Sequence, residues 1–216
     1  MVLDKKRDRV EPFLVVIAKR FSKTNPDLLT WIALIFSFIS GLFFYFSSPE
    51  FELLNYYLFF AVLFVFLNGL FDALDGKVAS LANKTSLRGD FLDHTLDRYA
   101  DVFMVGGLAL SSWTRPSIGL LAIIGVLLTS YMGTQSQAVG YKRVYSGLLG
   151  RADRLVLLMI FPIVQHIMLR YSFQLPWETT VLEWVLIYFG VVGNITAIQR
   201  FYNTLHWFKK KSTRIK

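Results

Sequence analysis

The chain has 216 residues, of which 54% are hydrophobic, 16% aromatic and only 18% charged. Soluble domains carry about 25% charged residues, so this chain has too few charges to cover a water-exposed surface. The absence of cysteine excludes a disulfide scaffold and a zinc–thiolate site. The net charge of +8 fits an anionic membrane surface. Nucleic acid is excluded as a partner because the basic residues are segregated between long apolar runs.

Residues 1–26 predict an N-terminal helix at the membrane surface. The segment from Val10 to Phe21 combines an apolar run with Lys19 and Arg20, as is typical of amphipathic helices in the membrane interface. An ordinary surface helix is the alternative interpretation. We predict three regions: the interfacial segment 1–26, a membrane domain 27–206 and a basic cytoplasmic tail 207–216.

Six apolar segments follow, each long enough to cross a hydrocarbon core of about 30 Å as a helix. The stretch 58–67 is apolar on every face, which a soluble helix would not be. The predicted fold is therefore an all-α integral membrane protein with six transmembrane helices and an N-terminal interfacial amphipathic helix. The predicted spans lie at about residues 28–47, 53–75, 90–112, 117–140, 155–171 and 180–204.

The basic residues lie almost entirely on one predicted side of the membrane. Segments 1–26, 77–98, 142–154 and 200–216 contain 21 of the 23 lysines and arginines. Such an excess marks the cytoplasmic side of a membrane protein. We therefore predict a multi-pass protein of the cell membrane, with both termini and the acidic segment described next on the cytoplasmic side.

Four aspartates recur at helical spacing where the second predicted span gives way to the third. Asp72 and Asp75 are three residues apart, and Asp93 and Asp97 are four residues apart. Each pair occupies one helix face, and the short connection makes the two helices antiparallel neighbours, so the four carboxylates can converge. Clustered carboxylates need cations, and all-oxygen ligation suits two Mg²⁺ or Mn²⁺ ions.

Three interpretations of this acidic cluster remain open from the residues alone. They are metal-assisted phosphate chemistry, an ion pathway, and structural pairing of the acids with nearby lysine and arginine. A divalent-cation transporter is disfavoured because the acids crowd at one membrane boundary, whereas transport favours acids near mid-membrane in several spans. Neighbouring His94 lies off the Asp93/Asp97 register, which favours an ordinary polar helix residue over a metal ligand.

The same residues resemble the motif D-x2-D-G-x2-A-R-x8-G-x3-D-x3-D of the CDP-alcohol phosphatidyltransferase family. The exception is Ser80, where the family has arginine. The resemblance covers nearly the whole chain, and it implies a homodimer. Seven of the eight specified positions match, namely Asp72, Asp75, Gly76, Ala79, Gly89, Asp93 and Asp97.

This resemblance implies roles for individual residues. Asp72, Asp75 and Asp93 would bind the first ion, and Asp72, Asp93 and Asp97 the second. Asp97 would also be the base that accepts the proton of the acceptor hydroxyl. Lys77 or Lys84, on the helix face of Ser80, is predicted to supply the cation that Ser80 lacks. The other residues implied in CDP-lipid binding are Asn25, Pro26, Asp27, Leu28, Gly76, Ala79, Ser80, Ser86 and Gly89.

Basic residues near the same membrane face predict an acceptor that carries its own phosphate, because arginine can hold a phosphate bidentately. Arg154 and Arg200 are the first candidates, followed by Arg151, Lys142 and Arg143. Cytoplasmic anchoring by positive charge is the alternative interpretation.

The segments around Arg154 and Arg200 resemble the inositol-phosphate-accepting branch of the family. That branch comprises bacterial phosphatidylinositol phosphate synthases and archaeal archaetidylinositol phosphate synthases, and the chain resembles the archaeal members more. The implied reaction transfers the lipid phosphate of CDP-archaeol or CDP-diacylglycerol to myo-inositol phosphate and releases CMP. Glycerol 3-phosphate and serine remain alternative acceptors.

Overall fold

The computed structural model describes residues 7–142, 144, 147–173, 175–176 and 179–215. Within these ranges no strand occurs, so the all-helical prediction is confirmed there. The α-helices are, in chain order, α1 (Arg7–Arg20), α2 (Pro26–Phe46), α3 (Glu52–Asn55), α4 (Tyr57–Leu81), α5 (Leu87–Ala109), α6 (Pro116–Ala138), α7 (Arg151–Arg170) and α8 (Val181–Ile215).

Five helical segments of the described chain are long and apolar enough to cross a membrane, which makes the chain a multi-pass membrane protein. They are Pro26–Phe46, Leu53–Leu81, Pro116–Ala138, Arg151–Arg170 and Val181–Lys211. The predicted third span at 90–112 corresponds to α5, which is helical but does not reach this standard. Its first half carries charged residues from Asp90 to Asp101, and therefore a count of six spans stays a prediction.

The last helix is longer than the sequence predicts. The predicted span ended near residue 204, whereas α8 continues to Ile215. Most of the predicted tail 207–216 is therefore helical. The apolar pattern did not predict this extension, because the helix continues into a basic segment that has no apolar run. Trp207 in this extension packs against Tyr141, with their ring centroids 4.9 Å apart.

The spanning helices pack into one bundle around an apolar core. Helix α2 lies against α4 and α5, α6 lies against α8, and α7 contacts both α4 and α8. Other large apolar side chains point outward, as expected of a surface that faces lipid; among them are Ile35, Phe38, Leu63, Ile124 and Ile195. The buried core includes Phe44, Leu58, Met104, Trp113, Leu158, Leu186 and Phe189.

The N-terminal helix packs on the bundle through α4. Ala18 of α1 is fully buried and joins an apolar cluster with Leu74 and Val78. Glu11 of α1 forms an ion pair with Lys77 of α4. The helix predicted within residues 1–26 is therefore present in the described part of that segment, and its position in the membrane interface stays a prediction.

At the end of the bundle where α6 and α8 begin, a buried acid is fully engaged by one arginine. Glu183 is 3% exposed, and it accepts hydrogen bonds from the backbone N–H of Arg115 (3.0 Å) and from its Nε (2.8 Å). This hydrogen bonding raises the pKa of the Arg115 guanidinium above its usual value. The pair joins α6 to α8 and is a structural contact.

Helices α2 and α5 cross at a contact that tolerates only glycine. A Cβ on Gly107 would overlap the carbonyl group of Gly41, and a Cβ on Gly41 would overlap the backbone of Phe103. Small residues of this kind allow membrane helices to approach closely.

We expect Gly107→Ala to separate α2 from α5 and to destabilise the protein by about 1–3 kcal/mol, as overpacking does. The measurement is thermal unfolding in detergent. Gly106→Ala is the matched control, because the nearest side-chain atom to its Cβ would be Ile123 Cδ1 at 4.0 Å. Equal melting temperatures for the two variants would contradict this account of the crossing.

Candidate active site

The turn between α4 and α5 brings the four aspartates of the sequence motif together. Helix α4 ends at Leu81, and α5 begins after Ser86, whose Oγ accepts a hydrogen bond from the Gly89 N–H at 3.0 Å. A side-chain oxygen at this position satisfies a backbone donor that the first turn of a helix leaves free. The sequence predicts α4 and α5 as direct neighbours, whereas both pack mainly against α2. The turn and this shared partner bring the aspartates of the two helices together.

Carboxylate oxygens of Asp72, Asp75 and Asp93 lie within 4.8 Å of one another. Asp93 also belongs to a second group with Asp97 and His94, whose candidate ligand atoms meet the same limit. The four carboxylates thus converge. His94, which the sequence favours as an ordinary helix residue, lies beside them, and its Nε2 is 3.1 Å from Asp90 Oδ1.

The cluster fits a divalent cation. Asp75 is 5% exposed, and its Oδ2 is a buried oxygen without a hydrogen-bond partner among the described residues. Buried carboxylate oxygens are costly unless a donor or a metal engages them. The ligand atoms of the Asp72–Asp75–Asp93 group are all carboxylate oxygens, which suit Mg²⁺ or Mn²⁺.

A first cavity of about 200 Å³ opens on one side of the acids, between α2, α4 and α5. Asp75 and Asp93 line it, together with Thr30, which the sequence analysis did not single out. The predicted CDP-lipid residues that line it are Pro26, Asp27, Gly76, Ala79, Lys84, Ser86 and Gly89.

Four residues predicted to bind the CDP-lipid lie elsewhere. Asn25 caps α2, accepting a hydrogen bond from the Asp27 N–H at 3.1 Å, and Leu28 is 52% exposed. Ser80 and Lys77 line a separate cavity beside α1. The Lys77 ammonium pairs with Glu11. Of the two candidate lysines, Lys84 alone lines the first cavity.

A second cavity of about 210 Å³ opens on the other side of the acids. Its lining includes Asp97 and three of the arginines predicted to hold the acceptor phosphate, Arg151, Arg154 and Arg200. Lys142 is exposed and does not line this cavity. The predicted contact from Arg143 lies outside the described residues.

Buried contacts hold two of these arginines in place. Arg154 is 2% exposed, and its Nη2 donates a hydrogen bond to Asp101 Oδ2 at 2.7 Å. Arg200 is 5% exposed, and its Nη1 donates to the Thr129 carbonyl oxygen at 2.6 Å. The missing side chain of Gly133 makes room for Arg200, because a Cβ there would lie 3.0 Å from Arg200 Nη1.

Sequence reasoning missed Asp101 and Thr129. Asp101 continues the four-residue register of Asp93 and Asp97 along α5, so that spacing could have identified it as a member of the same helix face. Thr129 acts through its backbone carbonyl, for which the sequence carries no signal.

Arg151 lines the second cavity and also contacts two of the acids. Its Nη1 lies 2.6 Å from Asp72 Oδ2 and 2.6 Å from Asp97 Oδ1, a pairing that the sequence analysis did not predict. One guanidinium nitrogen therefore bridges an acid of α4 and an acid of α5. The physical reason is electrostatic, because several carboxylates gathered in a half-buried site attract the nearest cation.

The acids thus form a common wall between two cavities. Asp75 and Asp93 face the first cavity, and Asp97, one turn further along α5, faces the second. Such an arrangement can hold two substrates whose reacting atoms meet at one cluster of carboxylates.

Solved structures of one enzyme share this fold. The structure of Mycobacterium tuberculosis phosphatidylinositol phosphate synthase in complex with manganese and citrate aligns with a TM-score of 0.69 at 23% identity, covering 89% of this chain and 88% of that one. The same synthase with CDP-DAG bound aligns with a TM-score of 0.68 at 24% identity, covering 88% and 92%. At these identities the likeness concerns the fold.

Sequence comparison is more specific. The chain is 30% identical over 161 residues to the archaetidylinositol phosphate synthase of Pyrococcus horikoshii, covering 74% of this chain and 81% of that protein. Residues 23–196 match the model of the CDP-alcohol phosphatidyltransferase family. That match takes in the helices α2 to α7, the first part of α8 and the acid cluster between the two cavities. The chain belongs to the CDP-alcohol phosphatidyltransferase family.

Proposed function

We propose that this transferase moves the lipid phosphate of a CDP-lipid to myo-inositol phosphate and releases CMP. The observation that carries the proposal is the wall of carboxylates between two cavities, one of which is lined by Arg154 and Arg200. The names of the Pyrococcus and Mycobacterium relatives support the acceptor, since both are inositol phosphate lipid synthases.

The first cavity binds the CDP end of the donor. Lys84 supplies the positive charge for the pyrophosphate and so replaces the family arginine, which is Ser80 in this chain. Gly76 and Gly89 leave the backbone open to the nucleotide, because neither has a side chain. CDP-archaeol and CDP-diacylglycerol share this CDP group, and both remain candidate donors.

The second cavity binds the phosphate of the acceptor. Arg154 and Arg200 are buried and fixed by Asp101 and Thr129, so their guanidinium groups are held in place before the acceptor arrives. An anchored phosphate turns a hydroxyl of the inositol ring toward Asp97. Holding a reactant in this way lowers the entropic part of the barrier.

Asp97 accepts the proton of that hydroxyl as its oxygen forms a bond to the lipid-side phosphorus. The bond between this phosphorus and the CMP oxygen breaks, and CMP leaves with the electron pair. Asp72, Asp75 and Asp93 would hold one Mg²⁺ or Mn²⁺ ion, and Asp72, Asp93 and Asp97 a second. When bound, the ions neutralise the acids and stabilise the charge that develops on the leaving group.

The proposal includes a position in the cell membrane. Helix α5 also crosses the membrane, which brings the number of spans to six. Helix α1, within the segment 1–26, lies in the membrane interface. Both termini and the acid cluster face the cytoplasm, where the basic residues concentrate. The domain 27–206 carries the reaction, the α8 extension beyond it lies on the cytoplasmic side, and the enzyme works as a homodimer.

The acceptor is tested by offering radiolabelled myo-inositol phosphate, glycerol 3-phosphate and serine separately with CDP-lipid and Mg²⁺. We expect labelled lipid and CMP from inositol phosphate. Product from serine alone would contradict the phosphate-binding role of the second cavity. Metal-dependent ion flux in liposomes without release of CMP would revive the transporter alternative.

We expect Lys84→Ala to raise the KM for the CDP-lipid about ten-fold, as loss of a charge-assisted hydrogen bond does. The matched control is Lys77→Ala, whose ammonium pairs with Glu11 and does not line the first cavity. The measurement is KM for the CDP-lipid at saturating inositol phosphate. An unchanged KM in Lys84→Ala would contradict the proposal that Lys84 replaces the family arginine.

A further inference from the structure

Arg151 occupies the position between two helices where a bridging cation would lie. Its Nη1 touches carboxylate oxygens of Asp72 and Asp97 at the same distance, 2.6 Å. These are two of the three acids that would hold the proposed second ion. A guanidinium and a dication compete for the same lone pairs, because each oxygen offers a limited number of them.

At least one N–H donor of Arg151 has no hydrogen-bond acceptor among the described residues. Its Nε is buried and has no acceptor among the described residues, although a guanidinium has five N–H donors to satisfy. The same side chain lines the second cavity together with Arg154 and Arg200. An acceptor phosphate in that cavity would offer the oxygens that this side chain lacks.

We propose that Arg151 is a tethered counter-ion, which holds Asp72 and Asp97 in the metal-free protein and is displaced toward the acceptor phosphate when the metal binds. This inference rests on the proposed function. It makes metal and acceptor binding mutually favourable: the metal releases Arg151 for the phosphate, and the phosphate keeps Arg151 away from the acids. Such coupling is reciprocal by thermodynamic necessity.

The test is a Mn²⁺ titration of the purified full-length protein in detergent, followed by the electron paramagnetic resonance signal of free Mn²⁺ without CDP-lipid. We expect Arg151→Gln to bind Mn²⁺ at least about five-fold more tightly than the parent, the lower end of typical couplings. Arg20→Gln is the matched control, because Arg20 is exposed at the end of α1, and it should bind like the parent. Arg151→Lys keeps the charge and should stay close to the parent.

The second arm repeats the titration with myo-inositol phosphate. We expect the acceptor to tighten Mn²⁺ binding by the parent about five-fold or more, and to have no such effect on Arg151→Gln. Weaker or equal Mn²⁺ binding by a folded Arg151→Gln would overturn the inference and leave the proposed function intact. A parent protein that binds no Mn²⁺ would instead overturn the metal role itself.

Discussion

Replacing Asp93 with asparagine is expected to abolish both transferase activity and tight Mn²⁺ binding. Asp93 is the one carboxylate that belongs to both groups of candidate ligands around the site. The variant keeps nearly the same shape but removes the charge that either ion would use. We expect activity to fall about a thousand-fold or more, since electrostatic stabilisation at a phosphoryl centre contributes several kcal/mol.

The matched control for this experiment is Asp153→Asn. Asp153 lies in the first turn of α7 and accepts a hydrogen bond from the Gly150 N–H at 3.0 Å, a contact that an asparagine oxygen preserves. It lines neither cavity, so this variant should keep the activity of the parent. Substantial activity in Asp93→Asn, with Mn²⁺ still bound, would place the metal elsewhere.

The second large effect is expected at Arg154, where Arg154→Gln leaves the buried Asp101 carboxylate without its closest cation. Both residues are 2% exposed, and removing one partner of a buried ion pair destabilises proteins by about 3–5 kcal/mol. Arg98, whose Nη1 is 3.7 Å from Asp101 Oδ2, should reduce this loss only in part. The measurement is thermal unfolding of the purified protein.

A double variant separates stability from acceptor binding. Asp101→Asn combined with Arg154→Gln removes both charges at once, and we expect it to recover most of the lost stability. Its KM for inositol phosphate should remain raised, because a neutral glutamine amide cannot hold a phosphate as a guanidinium does. A double variant with the stability and the KM of the parent would show that the ion pair serves structure alone.

The helices were readily predictable because an apolar segment of about 20 residues has few alternatives in a membrane. Each predicted span corresponds to a helix, and the motif spacing predicted the convergence of the four acids. The apolar pattern is weakest in α5, because Asp97 and Asp101 are charged residues buried in the bundle. Helix α5 nevertheless packs against α2 and α6.

Side-chain partners between distant helices could not be predicted from the sequence. Nothing in local spacing indicates that Lys77 pairs with Glu11 of α1, which leaves Lys84 as the lysine at the first cavity. The bridge from Arg151 to Asp72 and Asp97 likewise depends on how α7 packs against α4. Under the proposed function, these contacts decide which of several basic residues reaches each substrate.

The most direct test is anomalous diffraction from crystals of the protein grown with saturating Mn²⁺. We expect a manganese peak held jointly by Asp72, Asp75 and Asp93, with the Arg151 side chain turned away from Asp72 and Asp97. A map without manganese at these carboxylates, or with all the manganese bound at another surface, would contradict the account.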